Sequence, residues 1–345
     1  MKKIIALALV LVMALALVAC GSSEPAAADG VKTYKVGVAI YQYNDNFMTL
    51  YRQEIENYFK TKETDTVKYE ITMVDGKNDM AEQTNQIDTF ITQKMDVIIC
   101  NLVQTSSAEV IIDKVVAADI PLIQINREPL GDNGDESYEG IINNPKVCYV
   151  GADARQSGTY QGEIVLALDN KGDLNGNGKV DYVMIVGDPA NPDAQYRTEF
   201  SIKALTDAGV EVNKLVEQVG NWDQAKGQEI AAAALAQYGD QIDVIFCNND
   251  GMALGAAAAI DEAGKTGEIL VYGFDGNDDA VAAILEGRMG GTVAQNPFAM
   301  GETGVELALK LVNGEDLTSE TLEEGTGIKI FWAPIQIIDQ AGNKI

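Results

Sequence analysis

The stretch Gln241-Ile-Asp-Val-Ile-Phe-Cys-Asn-Asn-Asp-Gly251 decides the fold. Its apolar run, Val244 to Cys247, is too short for a helix and is built of residues that favour a strand. The run stops at Asn248-Asn-Asp250, and a stretch of helical period starts at Gly251. Strand, polar corner and helix make half of a βαβ unit. In a sheet of such units, ligands are met at the corners beyond the strands' carboxyl ends.

The same rhythm extends in both directions. Strands are expected near Lys35 to Tyr41, Tyr69 to Val74, Asp96 to Asn101 and Pro121 to Asn126, separated by helical stretches near Phe47 to Lys60, Met80 to Gln93 and Ser107 to Ala118. A second series follows Cys148-Tyr-Val-Gly151. Its strands lie near Tyr182 to Val186, Glu211 to Val219, Asp243 to Asn248 and Ile269 to Phe274, with helices from Asp193, Asp223, Gly251 and Asp278. Two series predict an α/β protein of two doubly wound parallel-sheet lobes joined by a multi-strand hinge. Residues 34–150 with 296–331 form the first lobe, and 151–295 with 332–345 the second. Polar residues gather where strands end: Asp45 and Phe47, Asn126-Arg127, Asn248-Asn-Asp250, and Asp275. A ligand clasped between the facing ends of the lobes follows.

At the N-terminus, Lys2 and Lys3 precede an apolar run from Ile4 to Ala19 that ends at Cys20. The run is too short and too poorly flanked for a transmembrane helix, so residues 1–19 read as a signal peptide. Leu17-Val-Ala-Cys20 resembles a bacterial lipobox, which predicts acylation of Cys20, and residues 20–33 read as a flexible tether. The alternative is a plain secretory signal cut after Ala19 or further on.

Without Lys2 and Lys3 the basic count falls from 25 to 23 against 52 acids, a formal charge near −29. Such a field repels nucleic acid. The chain has no histidine, which excludes His-dependent triads and His-ligated metal sites. Cys100, Cys148 and Cys247 sit in apolar runs without paired spacing and read as buried hydrophobes. About 310 residues after the tether suffice for two cores.

Six segments, in order, resemble the periplasmic galactose/glucose-binding proteins that serve sugar ABC transporters. They are Tyr41-Gln-Tyr-Asn-Asp-Asn-Phe-Met48, Asn126-Arg-Glu-Pro129, Asn191-Pro-Asp-Ala-Gln-Tyr-Arg197, Asn221-Trp-Asp223, Cys247-Asn-Asn-Asp250 and Tyr272-Gly-Phe-Asp275. The resemblance implies a periplasmic-binding-protein fold of type I and a monosaccharide ligand, galactose or glucose. Its sugar-binding residues would be Asp45, Phe47, Asn126, Arg127, Asn191, Asp193, Arg197, Trp222, Asn249, Asp275 and Gln295. The chemistry suits a neutral sugar, because carboxylates, carboxamides and guanidinium groups meet adjacent hydroxyls bidentately. By resemblance Phe47 and Trp222 sandwich the ring. Each residue taken alone has a plainer reading: Asp45 and Asp193 as helix N-caps, Asn249 and Asp250 as a helix start, Trp222 as core, and Arg127 as a lining residue. Asn191 stands where family members carry histidine and Gln295 where they carry asparagine, so the preference can extend to another hexose or a galactoside.

Asp173-Leu-Asn-Gly-Asn-Gly-Lys-Val-Asp181 reads like the first nine residues of an EF-hand loop, with oxygen side chains at positions 1, 3, 5 and 9 and glycine at 6. Position 12, however, is Met184. A turn before a strand explains the segment without metal. The resemblance implies instead a calcium site made of Asp173, Asn175, Asn177, the Lys179 backbone carbonyl and Asp181, completed by Asp243 where relatives have glutamate. The metal would brace the second lobe.

The expected function is therefore that of a non-enzymatic, monomeric receptor, held to the outer face of the cell membrane by lipid alone, that closes on its sugar and presents it to a permease. A sensory role at a chemoreceptor is the alternative. A glycosidase using Asp45 with Asp193 or Asp275 finds no support in the amide-rich surroundings. A sugar-responsive transcription regulator would need a helix-turn-helix headpiece, and this chain has a lipobox in its place.

Overall fold

The computed structural model describes residues 30–130, 144–315, 317 and 330–344. The segment expected to be a signal peptide, Cys20 and most of the expected tether lie outside these residues. The first lobe opens with β1 (Lys32–Ile40), α1 (Asn46–Thr61), β2 (Val67–Asp75), α2 (Met80–Thr92), β3 (Val97–Cys100), α3 (Ala108–Ala117), β4 (Leu122–Ile125) and β5 (Val147–Gly151). The second contains α4 (Ala154–Leu166), β6 (Val180–Val186), α5 (Pro192–Asp207), β7 (Val212–Val219), α6 (Gln224–Tyr238), β8 (Val244–Cys247), α7 (Asp250–Glu262), β9 (Leu270–Asp275), α8 (Asp278–Leu285) and β10 (Gly291–Ala294). The chain then returns: α9 (Pro297–Val312) packs on α1, and β11 (Ile330–Trp332) pairs with β5, before β12 (Gln336–Ile338) pairs with β10.

Two six-stranded sheets result, ordered β2-β1-β3-β4-β5-β11 and β7-β6-β8-β9-β10-β12. Every pairing is parallel except β10 with β12. Strand order reverses between β1 and β3 in one sheet and between β6 and β8 in the other. These two reversals are the crevices where a doubly wound sheet takes ligands. Central strands such as Val97–Cys100 and Val244–Cys247 are buried throughout, because helices cover both faces of a parallel sheet. Each sheet therefore has two apolar layers, one per face. Cys100, Cys148 and Cys247 are buried in these layers.

The crossings after β5, after β10 and between β11 and β12 form a three-stranded hinge. Two elements lie outside the sequence reading. Helix α4 carries Gly158 and Gly162 within its length, and these let it press against α5: a Cβ at Gly162 would lie 2.5 Å from the Ser201 carbonyl oxygen. β12 is three residues long, too short for a periodic signal.

Candidate functional site

The eleven residues expected to bind sugar line one cavity between the lobes, together with Tyr41 and Met48. The helix starts explain how they are held. Asp45 is the N-cap of α1, accepting from the Met48 N–H at 2.8 Å, while its other carboxylate oxygen accepts from the Tyr41 hydroxyl at 2.5 Å. Capping and cavity lining thus coexist in one side chain. Asn249 does the same for α7, capping through Met252 N–H at 2.9 Å and donating to the Trp222 carbonyl at 3.2 Å.

Asp193 departs from its plainer reading. The cap of α5 is Asn191, which accepts from the Asp193 N–H at 3.0 Å, with Pro192 in the first turn. The Asp193 carboxylate is thereby left for the cavity. It lies 3.4 Å from the Arg197 guanidinium, one turn along the helix, and both residues are less than 5% exposed. Burial pushes the Asp193 carboxyl up, and Arg197, Arg127 and Arg155 oppose that push. Arg197 also donates to the Asn248 carbonyl at 3.1 Å and lies over the Phe274 ring at 4.3 Å.

Arg127 is buried rather than an exposed lining group. Its guanidinium stacks on Tyr41 at 3.8 Å and donates to the Val103 carbonyl. It also lies 3.8 Å from Asp188 of the second lobe. Asn126, at φ 63°, turns the chain sharply after β4. Asp275 ends β9 at φ 117°, a backbone region that side-chain-bearing residues rarely occupy, and accepts from Gln295 Nε2 at 3.0 Å. Burial, and then the neighbouring Asp250, raise the Asp275 carboxyl well above the usual carboxylate range. Asp250 is itself pushed up to about 7 by burial, against hydrogen bonds from Thr292 and Asn277.

Phe47 and Trp222 line the cavity from opposite lobes. Asn221 and Trp222 are both left-handed, at φ 51° and 66°, an uncommon pair of conformations that sets the indole over Gly187. Three buried polar atoms here have no hydrogen-bond partner among the described residues: Asp193 Oδ1, Arg197 Nε and Trp222 Nε1. Buried polar atoms in native proteins are normally satisfied, so such a cluster marks where a ligand's polar groups belong. About 30 Å³ remains between the lining groups, enough for water and too little for a sugar ring. Entry of a ring-sized ligand therefore requires the lobes to part at the hinge, and its enclosure requires the lining groups to stand further apart than they do here.

Two strand-end asparagines to which the sequence assigned no role of their own hold these groups in place. Asn101 and Asn248 end β3 and β8 and are fully buried. Asn101 accepts from Tyr41 N–H and donates to the Ile125 carbonyl and the Asn126 side chain. Asn248 accepts from Gly187 N–H at 2.9 Å and donates to Thr198. The signal was present in the sequence: Asp96-Val-Ile-Ile-Cys-Asn101 and Asp243-Val-Ile-Phe-Cys-Asn248 are nearly the same word.

A family model described as periplasmic binding protein domain matches residues 36–316. The chain belongs to the periplasmic binding protein family. Among members of the family, the D-galactose/methyl-galactoside binding periplasmic protein MglB of Haemophilus influenzae is 33% identical over 291 residues, 83% of this chain and 84% of the relative. A putative rhizopine-binding protein of Rhizobium meliloti is 33% identical over 282 residues, 81% and 85% of the two chains. A solved ABC transporter solute binding protein of Bacillus halodurans C-125 with bound myo-inositol superposes with a TM-score of 0.74 at 25% identity, over 90% of this chain and 96% of that one.

The EF-like loop lies apart from the cavity, at the opposite end of β6 and β8. Asp173 accepts from the Gly176, Asn177 and Gly178 N–H groups. Asp243 accepts from Leu174, Asn175 and Asp181 N–H, and the Asn177 amide meets Asp181 at 2.6 Å. Lys179 Nζ lies 3.4 Å from Asp181. Asp181 also accepts from the Asn175 and Asn213 amides, and among the described residues no group of three or more acidic side chains stands together as a metal site. A carboxylate offers about four lone-pair sites, so three N–H bonds leave Asp243 one contact for a hard cation. Calcium would require Asn175 and Asn177, whose amide nitrogens here face Asp181, to present oxygen instead, with Asp243 joining through a single oxygen.

Proposed function

We propose that this chain is an extracytoplasmic receptor that binds a neutral monosaccharide, D-galactose or D-glucose, between its lobes and delivers it to the membrane permease of an ABC importer. The observation that carries this reading is the cluster of unpartnered buried atoms on Asp193, Arg197 and Trp222, placed between a phenylalanine and an indole from opposite lobes. A pyranose supplies hydroxyls that donate and accept, and apolar C–H faces for the rings. The name of the Haemophilus relative favours galactose, and the myo-inositol in the Bacillus structure favours a ring of hydroxyls. Asn191 and Gln295 are the positions that would set the preference. Acylation of Cys20 would hold the receptor at the membrane; among the described residues no helix is long and apolar enough to cross one. An enzymatic reading gains nothing from the cavity, where the Asp193 carboxylate is tied to Arg197.

The two lobes already touch outside the cavity. Thr105 donates to the Ala190 carbonyl at 3.4 Å, and Arg155 lies 3.3 Å from Glu128. A sugar that bonds both lobes would add to these contacts only in the closed arrangement, shifting the population toward it. Titration with galactose or glucose is expected to change Trp222 fluorescence saturably, with the change absent from Trp222→Phe. Trp332, the other tryptophan, sits against Tyr149 near the hinge, and Trp222→Phe isolates its contribution. Silence across a panel of monosaccharides would remove the sugar assignment.

We also propose calcium at the loop, held by Asp173, Asn175, Asn177, Asp181, Asp243 and the Lys179 carbonyl, with a bracing role only. Calcium added to chelator-treated protein is expected to raise the Tm by several degrees, since a ligand stabilises the state that binds it. Asp243→Asn should lose that rise while galactose binding persists. An unchanged Tm in the parent protein, with no calcium heat in calorimetry, would exclude the metal.

A further inference from the structure

Beyond the inner cavity the cleft widens into a mouth of about 600 Å³ that shares Asp45, Phe47, Trp222, Asn249 and Asp275 with it. Its size lies within the range of sites that enclose small molecules. Nine carboxamides line it; besides Gln42, which bonds to Tyr41, Asn46, which opens α1, and Asn249, which caps α7, there are six, three from each lobe: Asn44, Asn78 and Gln104, and Asn221, Gln224 and Asn277. Each stands just beyond the carboxyl end of a strand, after β1, β2, β3, β7, β7 and β9 respectively. None of the six side chains makes a hydrogen bond to another described residue, in contrast to the capping and strand-anchoring asparagines deeper in the site. The charged groups beside them are already engaged. Lys226 pairs with Glu229 at 2.6 Å, and Asp188 faces Arg127.

We infer that this mouth is a second subsite, and that the receptor takes a glycoside whose second, neutral sugar residue lies among the six carboxamides while the first fills the inner cavity. A carboxamide both donates and accepts, so a ring of them suits vicinal hydroxyls and favours no net charge. A phosphorylated or carboxylated substituent would find no uncommitted cation there and would meet the acidic field of the chain. Because amides arrive from both lobes, the outer residue would also bridge the cleft and add its own contacts to the closed state. The free hexose leaves those contacts unmade.

The second subsite rests on the inner cavity being a sugar site, and calorimetry on the mature protein separates the two. The probes are D-galactose, D-glucose, their methyl glycosides, and the disaccharides lactose, melibiose, cellobiose and maltose. At least one disaccharide is expected to bind as tightly as the better free hexose or up to tenfold more tightly. The rim variants Asn78→Ala and Gln224→Ala, both at exposed positions outside the inner cavity, should weaken that disaccharide about tenfold and leave the hexose within twofold. Hexose binding with every disaccharide at least a hundredfold weaker overturns the subsite and leaves the monosaccharide reading intact. Rim variants that weaken hexose and disaccharide alike also overturn it. Binding of no sugar at all overturns the subsite and the monosaccharide reading together.

Discussion

Replacing Arg197 by methionine is expected to destabilise the protein by about 3–5 kcal/mol and to weaken sugar binding by more than a hundredfold. Methionine keeps most of the apolar stem over Phe274 and removes the charge. What remains is a carboxylate on Asp193 that is 4% exposed, with its nearest counter-charge gone. The Asn248 carbonyl loses its donor as well. Lysine is not expected to rescue binding, because a point charge cannot meet Asp193 and the Asn248 carbonyl with the planar fork that guanidinium provides.

The variant should also acquire a pH signature. Burial raises the Asp193 carboxyl, and Arg197 is the first of the cations that hold it down. Removing Arg197 raises it further, so the folded state keeps the proton to higher pH than the unfolded chain, whose carboxyl titrates near 4. Where the native state holds more protons than the unfolded state, stability falls as pH rises. Relative to the parent, Arg197→Met should therefore be least impaired below about pH 4 and lose ground as pH climbs through the raised value. Urea unfolding at several pH values reads this directly. A loss that is the same at every pH would mean that Asp193 does not depend on Arg197 for its charge.

The uneven legibility of this chain has physical causes. The sheets were readable because a parallel strand covered on both faces must be a continuous apolar run, as in Val244 to Cys247, with polarity returning only at its carboxyl end. Helix α4 was not, because Gly158 and Gly162 are there for close packing on α5 and weaken the helical pattern that they serve. The cavity residues were readable from their place at strand ends and their resemblance to sugar receptors. The anchoring roles of Asn101 and Asn248 were not, since their side chains point at backbone and neighbours rather than at the cavity. The role of Asp193 turned on which residue caps α5, a choice between the two oxygen side chains flanking Pro192 that the proline alone does not settle. The geometry of Asp243 shows why a strand-start acid drew a metal reading only in the second lobe. Asp96, in the same place in the other lobe, accepts the Lys35 N–H at 2.7 Å, as Asp243 accepts the Asp181 N–H at 2.8 Å. Only Asp243 also reaches a loop rich in oxygen donors.

Gly187→Ala is expected to weaken sugar binding about ten- to a hundredfold while shifting the Tm little. A Cβ at Gly187 would lie 2.3–2.5 Å from three atoms of the Trp222 ring, closer than any real contact permits. One of the two must move. Gly187 is anchored by its N–H to the Asn248 side chain, which is itself tied to Thr198. Trp222 is fixed less tightly: its carbonyl accepts from Asn249, and its indole N–H has no partner among the described residues. The ring therefore swings out of the plane in which it would stack on a pyranose, at small cost to the fold. Aromatic contact and burial of one sugar face are together worth about 1.4–2.8 kcal/mol, which is the tenfold to hundredfold expected. A merely structural glycine would behave in the opposite way, losing stability and affinity together. Calorimetry with the preferred sugar, paired with thermal unfolding of the sugar-free protein, distinguishes the two. Unchanged affinity with a lowered Tm would show that Trp222 does not carry the ring.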